Sequence, residues 1–282
     1  MSRRLPLHAA WLALSVVAGA VGTRPLAAQA APSRPLLDLS AWGVYSSFAD
    51  PPRSTLSNKA DGVGLRSIEI GVWPATTLRL FGRYDNSLSL DNLSLLRAGR
   101  RVPTWSGGAL LDWGGRFTTV LRGGRRTLPG RVGQTLLGLE QVVYTAGGTA
   151  WKAGVEVGPR ADHRTEWVGH AGVNLPAGGR LRLEPVVFYA RSGLGAESQW
   201  RALLAGELGL GGASALGGGL AAGRISHSPS GLDGTVWDGH ARLSVGTGAG
   251  SRAHLLLRHE RAPGASPLTS VAVGLSLQVR QP

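Results

Sequence analysis

The feature that most constrains this chain is an alternation of apolar and polar side chains, repeated in segments that are separated by two kinds of break. Short Gly/Pro breaks, such as Pro176–Gly179 and Gly211–Gly212, alternate with longer polar stretches, such as Asp85–Thr104 and Ser226–Asp233. A period of two is typical of a β-strand, because successive side chains of a strand point to opposite faces. Tight turns at one end and longer loops at the other predict an up-and-down strand meander.

The distribution of charge over the two faces indicates what each face contacts. Around residues 180–189, Leu181, Leu183 and Val187 lie on one face, and Arg182 and Glu184 lie on the other. An arginine facing hydrocarbon at mid-bilayer would cost about 2–4 kcal/mol, so in a membrane the charged face must point inward. The pattern favours a transmembrane barrel with a hydrated lumen. A two-sheet sandwich with a wet outer surface would show the same alternation and stays an alternative.

The fold class predicted from these segments is all-β, a transmembrane antiparallel up-and-down β-barrel of about fourteen strands. Twelve strands is the alternative count if the chain does not turn at Trp113–Gly115. The predicted strands are 36–47, 63–73, 76–85, 105–113, 115–124, 131–144, 148–158, 165–175, 179–190, 197–210, 213–225, 234–246, 251–261 and 268–280.

The first thirty residues have the pattern of a signal peptide. Arg3 and Arg4 precede the apolar run Leu5–Gly22, and the small-residue site Ala28–Ala30 follows. We expect residues 1–30 to be a cleaved signal peptide and residues 31–282 to form one barrel domain. The chain has no cysteine, which excludes disulfides and Cys-based zinc sites. The predicted location is the bacterial outer membrane, reached by export.

The net charge is +13, from 30 Lys and Arg against 17 Asp and Glu. In an exported barrel this excess favours lipopolysaccharide phosphates or anionic solutes as partners, and no nucleic acid is expected. The charged face is predicted to line the lumen, where most charges would form ion pairs and an open pore would prefer anions mildly. The predicted lumen-lining residues are Arg79, Arg83, Arg116, Arg122, Arg180, Arg182, Glu184, Arg201, Glu207, Asp238, Arg242 and Arg258.

Aromatic residues concentrate near the ends of the predicted strands. Rings whose polar edge meets lipid headgroups favour the two membrane interfaces, where they form girdles. The predicted girdle residues are Trp73, Trp105, Trp113, Trp151, Trp167, Trp200, Trp237, Tyr84 and Tyr189.

No constellation of catalytic, metal-ligating or cofactor-binding residues stands out, and none is predicted. His254 and His259 are five residues apart, which places them on opposite faces of a strand, so they cannot chelate one ion together. His170 and His240 share the polar face with His254. His227–Ser228 is an adjacent pair in a predicted outer loop, which is a poor geometry for proton transfer between them. The chain is therefore predicted not to be an enzyme.

The strand end Phe81–Asp85, read as Phe-Gly-Arg-Tyr-Asp and followed by a long loop, resembles the early strands of YaiO-type outer-membrane β-barrel proteins. The resemblance implies an outer-membrane barrel without catalytic residues. The chain departs from many barrels at its C-terminus, because Val279–Pro282 lacks the terminal aromatic residue that insertion machinery reads.

Three functions remain at this stage, in decreasing order of support. The first is a narrow passive channel for small solutes, with anions preferred. The second is a structural or lipopolysaccharide-binding barrel whose lumen is plugged by ion pairs and the Asp85–Thr104 loop. The third is a lipid-modifying enzyme. The expected partners are outer-membrane lipids including lipopolysaccharide and the barrel-insertion machinery, and the expected state is a monomer.

Overall fold

A computed structural model describes residues 35–48, 62–86, 101–128, 130–162, 164–191, 197–228, 231–248 and 250–280. The predicted signal peptide and most of the predicted plug loop, residues 87–100, lie outside the described residues. Within the described ranges, no helix is long and apolar enough to cross a membrane.

Fourteen antiparallel strands form one closed barrel in which each strand pairs with its neighbours in sequence and β14 pairs with β1. The all-β barrel prediction and the count of fourteen are confirmed. The strands are β1 (Pro35–Phe48), β2 (Gly62–Ala75), β3 (Leu78–Asp85), β4 (Thr104–Asp112), β5 (Phe117–Leu128), β6 (Val132–Tyr144), β7 (Ala150–Pro159), β8 (Thr165–Pro176), β9 (Leu181–Arg191), β10 (Ser198–Gly211), β11 (Ser214–Ser226), β12 (Gly234–Gly248), β13 (Ser251–Arg261) and β14 (Leu268–Arg280).

The two ends of the barrel differ in their connections. We call the turn end the one where β1 begins and β14 ends, with Pro35 opposite Arg280. Connections there are short, from two residues between β2 and β3 to five between β6 and β7. We call the opposite end the loop end. It carries the connection of thirteen residues between β1 and β2 and that of eighteen between β3 and β4. Closure leaves no unpaired sheet edge along the wall.

The turn between β4 and β5 decides the strand count. Gly114 and Gly115 have φ angles of 70° and 73°, in the left-handed region that glycine adopts without a steric penalty. The amide of Gly115 donates to Asp112 Oδ1 at 2.7 Å, and the amide of Trp113 donates to the carbonyl of Phe117 at 2.9 Å. The chain therefore turns here, and the twelve-strand alternative is wrong.

One connection at the loop end is shorter than the sequence pattern predicted. The predicted strand 115–124 continues to Leu128, so only residues 129–131 join β5 to β6. The extension forms because residues 125–128 keep the alternation and pair with β6, Arg125 with Thr135 and Arg126 with Gln134. Arg125 is exposed on the outer face, while Arg126 is half-buried and points inward.

The barrel wall is apolar outside and polar inside, the reverse of a water-soluble protein. Large aliphatic side chains such as Leu204 and Leu220 are exposed on the outer face, whereas Gln134, Arg201 and Glu260 are buried. An apolar surface that continues around the whole molecule requires a lipid-like environment. The sandwich alternative is therefore wrong, since the sheet closes on itself with its polar face enclosed.

Candidate functional site

The main concave site is a cavity of about 550 Å³ inside the lumen. Strands β1–β3 line one side and strands β8–β13 line the other, so the cavity spans the interior of the barrel. Its charged lining residues are Arg66, Arg83, Arg182, Arg201, Arg242, Arg258, Glu69, Glu184, Glu207 and Asp238. Six arginines therefore face four carboxylates, which leaves the described lining with an excess of two positive charges.

A buried ion cluster braces the wall at β10, β12 and β13. Asp238 Oδ2 lies 3.5 Å from Arg201 Nη1 and 3.4 Å from Arg258 Nη2, and Arg258 Nη2 lies 2.9 Å from Glu260 Oε1. Asp238 is 5% exposed, Arg201 3% and Glu260 1%. Strand pairing brings the cluster together. Asp238 of β12 stands directly opposite Glu260 of β13, and Arg258, two residues before Glu260 on the same strand, lies within reach of both carboxylates. Because these carboxylates are deeply buried, they hold the guanidinium groups in fixed positions, and the arginines do not move with a passing solute.

A second chain of ion pairs runs along β1, β2 and β3. Arg79 is hydrogen-bonded to both oxygens of Asp38 and lies 2.7 Å from Glu69 Oε1. Arg83 lies 3.7 Å from Glu69 Oε2 and pairs with Asp85. Acids and bases alternate along this chain of contacts, with acids on all three strands and both arginines on β3. Most charges here are therefore neutralised within the wall.

Further pairs continue the same pattern around the barrel. Lys152 of β7 pairs with Glu184 of β9, and Arg242 of β12 pairs with Glu207 of β10. The Arg242 and Glu207 side chains are 44% and 42% exposed, in contrast to the buried cluster. This exposed pair can exchange its partners with water or a passing ion at low cost.

Two cavity arginines make no salt bridge with any described residue, namely Arg66 and Arg182. Arg66 reaches the lumen because a β-bulge between β1 and β2 inserts it beside Ser67, which pairs with Trp42. Its guanidinium lies over the Trp42 ring, 5.9 Å from the centroid. These two unneutralised side chains give the lumen its positive excess.

Aromatic rings inside the lumen form a feature that the sequence analysis missed. Trp42 and Phe188 line the cavity, and the guanidinium of Arg201 lies 5.1 Å from the centre of the Phe188 ring. The guanidinium of Arg79 likewise lies 5.2 Å from the centre of the Phe81 ring. Their positions follow the parity of the charged face, since Phe188 is an even number of residues from Arg182 and Glu184. That parity was the available signal.

Most of the predicted lumen-lining residues lie on the inner face of the barrel. Two do not belong to its wall. Arg116 and Arg180 are exposed in the turns before β5 and β9, at the turn end. The segments predicted there as strand are turns, because the glycine-rich connections are longer than assumed. Arg122 faces a second cavity of about 170 Å³ near the loop end, together with Arg126 and Glu156.

The predicted girdle residues lie on the outer face at two levels, with one exception. At the loop end, Tyr84 packs against Trp105 and Trp167 against Tyr189, with ring centroids 4.8 and 4.9 Å apart. Trp200 and Trp237 also lie at the loop end, near the starts of β10 and β12. Trp113 and Trp151 are exposed at the turn end. Trp73 points inward instead, since its indole Nε1 donates to Asp38 Oδ2 at 3.0 Å. The girdle prediction is therefore wrong for Trp73.

The lumenal histidines make separate local contacts. His170 Nε2 lies 2.9 Å from Glu140 Oε2, and His240 Nδ1 lies 3.9 Å from Asp238 Oδ1. His254 bonds the hydroxyls of Ser244 and Ser276, each at 2.9 Å, and stacks on Trp42. In the described part of the chain, no three His, Asp or Glu side chains are close enough together to hold a metal ion.

The His227–Ser228 loop is organised by backbone contacts. The amides of Ser228 and His227 donate to the Asp233 carboxylate at 2.7 and 3.2 Å. These bonds, that of Ser228 first, hold the pKa of Asp233 below its usual range. His227 has a φ of 60°. Asp233 thus caps the loop through main-chain donors, and these bonds do not orient the His227 ring.

The residues just before β4 reach across the mouth at the loop end. Arg101 Nη2 donates to Ser46 Oγ of β1 at 2.7 Å, although β2 and β3 lie between β1 and β4 in the sheet. The next residue, Val102, is buried against Leu128 and Val132. This short stretch is therefore held at two points on the wall.

Comparison with known proteins identifies the fold and not the family. No family model matches the chain, and no curated protein matches it either. The resemblance to YaiO-type proteins therefore stays a prediction. Among solved structures, a bacterial polysaccharide outer membrane secretin has 11% identity and a TM-score of 0.53, over 88% of this chain and 100% of the other.

Two further structures extend the same comparison. The CymD monoaromatic hydrocarbon channel has 7% identity and a TM-score of 0.56, over 89% of this chain and 90% of the other. The NanC porin has 7% identity and a TM-score of 0.50, over 86% of this chain and 100% of the other. At these identities the similarity establishes architecture alone. This chain has a porin-like outer-membrane β-barrel fold.

Proposed function

We propose that this protein is a passive channel in the bacterial outer membrane that admits small anionic solutes through a narrow lumen. The observation that carries the proposal is the lining of the 550 Å³ cavity, where six arginines face four carboxylates. Barrels of eight strands are filled by side chains and those of sixteen or more leave an aqueous channel. Fourteen strands place this barrel between the two, which agrees with a narrow polar passage.

The arrangement of the lining charges supports conduction of anions rather than tight binding. Most lumenal arginines are held by carboxylates on nearby strands, so they contribute local positive potential while their guanidinium groups are already bonded to the protein. Arg66 and Arg182 supply the excess. A low-dielectric wall concentrates the field of such charges into the passage and raises the local concentration of counter-ions.

Single-channel recording in planar bilayers tests the proposal. We expect reproducible conductance steps and, under a KCl gradient, a reversal potential of the sign that chloride permeation gives. Replacing both Arg66 and Arg182 by Gln should reduce this anion preference. The matched control replaces Arg116 and Arg180 by Gln, because both are exposed at the turn end and the change in net charge is the same. Equal effects in the two variants, or preference for cations, would contradict the proposal.

The plugged barrel remains the second candidate, because Arg101 and Val102 tie the end of the β3–β4 connection across the mouth. It predicts that planar-bilayer recordings show no conductance steps over many insertions of protein that is shown to be folded. A lipid-modifying activity is the third alternative, for which release of labelled fatty acid, lost on changing His227 or Ser228, is the test. Under our proposal the chain is not an enzyme.

A further inference from the structure

Four tryptophans on the outer surface of the loop end have an arginine as a direct cross-strand neighbour. The pairs, which we call the Trp–Arg belt, are Trp105–Arg125, Trp167–Arg191, Trp200–Arg224 and Trp237–Arg261. Directly opposed residues of an antiparallel pair have Cβ atoms about 5 Å apart and share one face of the sheet. Each arginine therefore stands beside an indole on the outer surface.

The belt lies at one level of the barrel. All four tryptophans fall within the first four residues of strands that run from the loop end to the turn end, namely β4, β8, β10 and β12. Trp105 is 66% and Trp200 50% exposed, and Arg125, Arg224 and Arg261 are exposed as well. Tryptophan favours the boundary between acyl chains and headgroups. The neighbouring guanidinium groups are thereby placed at the height of the headgroups.

The belt arginines have no salt-bridge partner among the described residues, although, after the hydrogen bond from the Ser228 amide, the charge of Arg224 is one of the causes that lower the pKa of Asp233. Among the described residues, none of the four makes a salt bridge, whereas most of the arginines that line the main cavity pair with a carboxylate one or two strands away. A charge on the lipid-facing side of a barrel is unfavourable unless an anionic group or water meets it. Cations at headgroup height that form no salt bridge with the described residues therefore point to an anionic headgroup.

The spacing of the belt indicates which headgroup. Arg191, Arg224 and Arg261 lie on β9, β11 and β13, and the register offsets each from the next by two residues along the strands. Successive arginines are therefore about 12 Å apart along the sheet. A headgroup with two phosphates on a disaccharide can meet two such arginines at once. A phospholipid with a single phosphate meets only one. A guanidinium also binds phosphate through two parallel hydrogen bonds.

We propose that the Trp–Arg belt binds bisphosphorylated lipid A, the glycolipid anchor of lipopolysaccharide, with its phosphates on the arginines and its upper acyl chains against the indoles. The belt is separate from the lumen, so this interaction does not depend on the proposed channel activity. The proposal assigns the lipid contact to the outer wall of the barrel at the loop end.

Titration of the folded mature chain in detergent with bisphosphorylated lipid A, followed by native mass spectrometry, tests the belt. We expect the variant with Gln at Arg191, Arg224 and Arg261 to bind about tenfold more weakly, because three charge-assisted contacts are lost. The control variant has Gln at Arg116, Arg180 and Arg252, which are exposed at the turn end. It carries the same change in net charge and should bind within about twofold of the parent.

Two parallel titrations define the ligand. Monophosphorylated lipid A and phosphatidylglycerol should both bind the parent more weakly than the bisphosphorylated form. Equal binding of phosphatidylglycerol, or equal losses in the belt and control variants, would overturn the proposal in favour of general charge attraction. Boiling-dependent gel mobility establishes that each variant is folded. If the triple variant does not fold, Arg224→Gln and Arg261→Gln are each compared with Arg252→Gln.

Discussion

At the scale of single residues, the lumen shows why charged side chains can be retained inside a barrel. Asp238 of β12 lies between Arg201 of β10 and Arg258 of β13, and Arg258 also pairs with Glu260, two residues further along β13. Each charge was removed from bulk water when the barrel closed, and each is compensated by an opposite charge on the same strand or on one that lies one or two positions away. The loss of one member therefore weakens the compensation of a charge that stays buried.

The Asp238→Asn variant tests this dependence. We expect the free energy of unfolding to fall by about 3 kcal/mol, the lower end of the range for breaking a buried ion pair, because Glu260 still compensates Arg258. The measurement is urea unfolding of the protein in lipid vesicles, followed by tryptophan fluorescence.

The matched control is Glu207→Gln, which breaks the exposed pair with Arg242. Because both side chains are more than two-fifths exposed, solvent screens them, and the expected change is below about 1 kcal/mol. Equal losses in the two variants would show that burial does not determine what a lumenal ion pair contributes.

At the scale of elements, turn chemistry fixes how many strands the chain makes. The glycines of the β4–β5 turn hold left-handed backbone angles that side chains with a Cβ disfavour. Asp112 completes the turn by accepting the amide of Gly115. A bulge in β2 acts in a comparable way on the lumen, since it turns Arg66 inward beside Ser67.

The double variant Gly114→Ala and Gly115→Ala should lower the free energy of unfolding by about 2–4 kcal/mol, at roughly 1–2 kcal/mol for each left-handed residue. Urea unfolding in vesicles measures the change. The control is Gly82→Ala with Gly123→Ala, two strand glycines whose added Cβ would meet no atom within 4 Å.

The control variant should keep the stability of the parent or exceed it slightly, since alanine restricts the unfolded chain. A control as unstable as the turn variant would mean that glycine is needed throughout the wall and that the turn angles have no special role.

At the scale of the whole molecule, stability in lipid depends on closure. β14 pairs with β1 over its whole length, from Leu268 opposite Phe48 to Arg280 opposite Pro35. Without that seam, two strands would expose unpaired amides and carbonyls to hydrocarbon, at several kcal/mol for each group.

A chain truncated before Leu268 lacks β14, and we expect it to give no heat-modifiable band when refolded from urea into detergent. The control truncation removes only Gln281 and Pro282 and should refold like the parent. Refolding in detergent also separates closure from recognition by insertion machinery. A folded band from the shorter chain would show that the seam is dispensable.

The sequence predicted the barrel, its fourteen strands and most of its lumenal charges, because a period of two and turn glycines are local properties. The predicted last strand, 268–280, matches β14 at both ends. Parity along each strand correctly placed Arg201, Asp238 and Arg258 on one face. Trp73 was misplaced because its position beside a turn suggested a girdle residue, although it is an even number of residues from the lumenal Glu69 and its indole donates to Asp38.

Which residues meet across strands was decided by the tertiary structure alone. Register and barrel closure determine that Asp238 lies between two arginines, that Arg66 forms no salt bridge with a described carboxylate, and that four outer arginines each stand beside a tryptophan. A sequence fixes side-chain direction through the pleat of each strand. The pairing of charges depends on how far neighbouring strands are displaced along one another, and that displacement is set by hydrogen bonding around the entire closed ring.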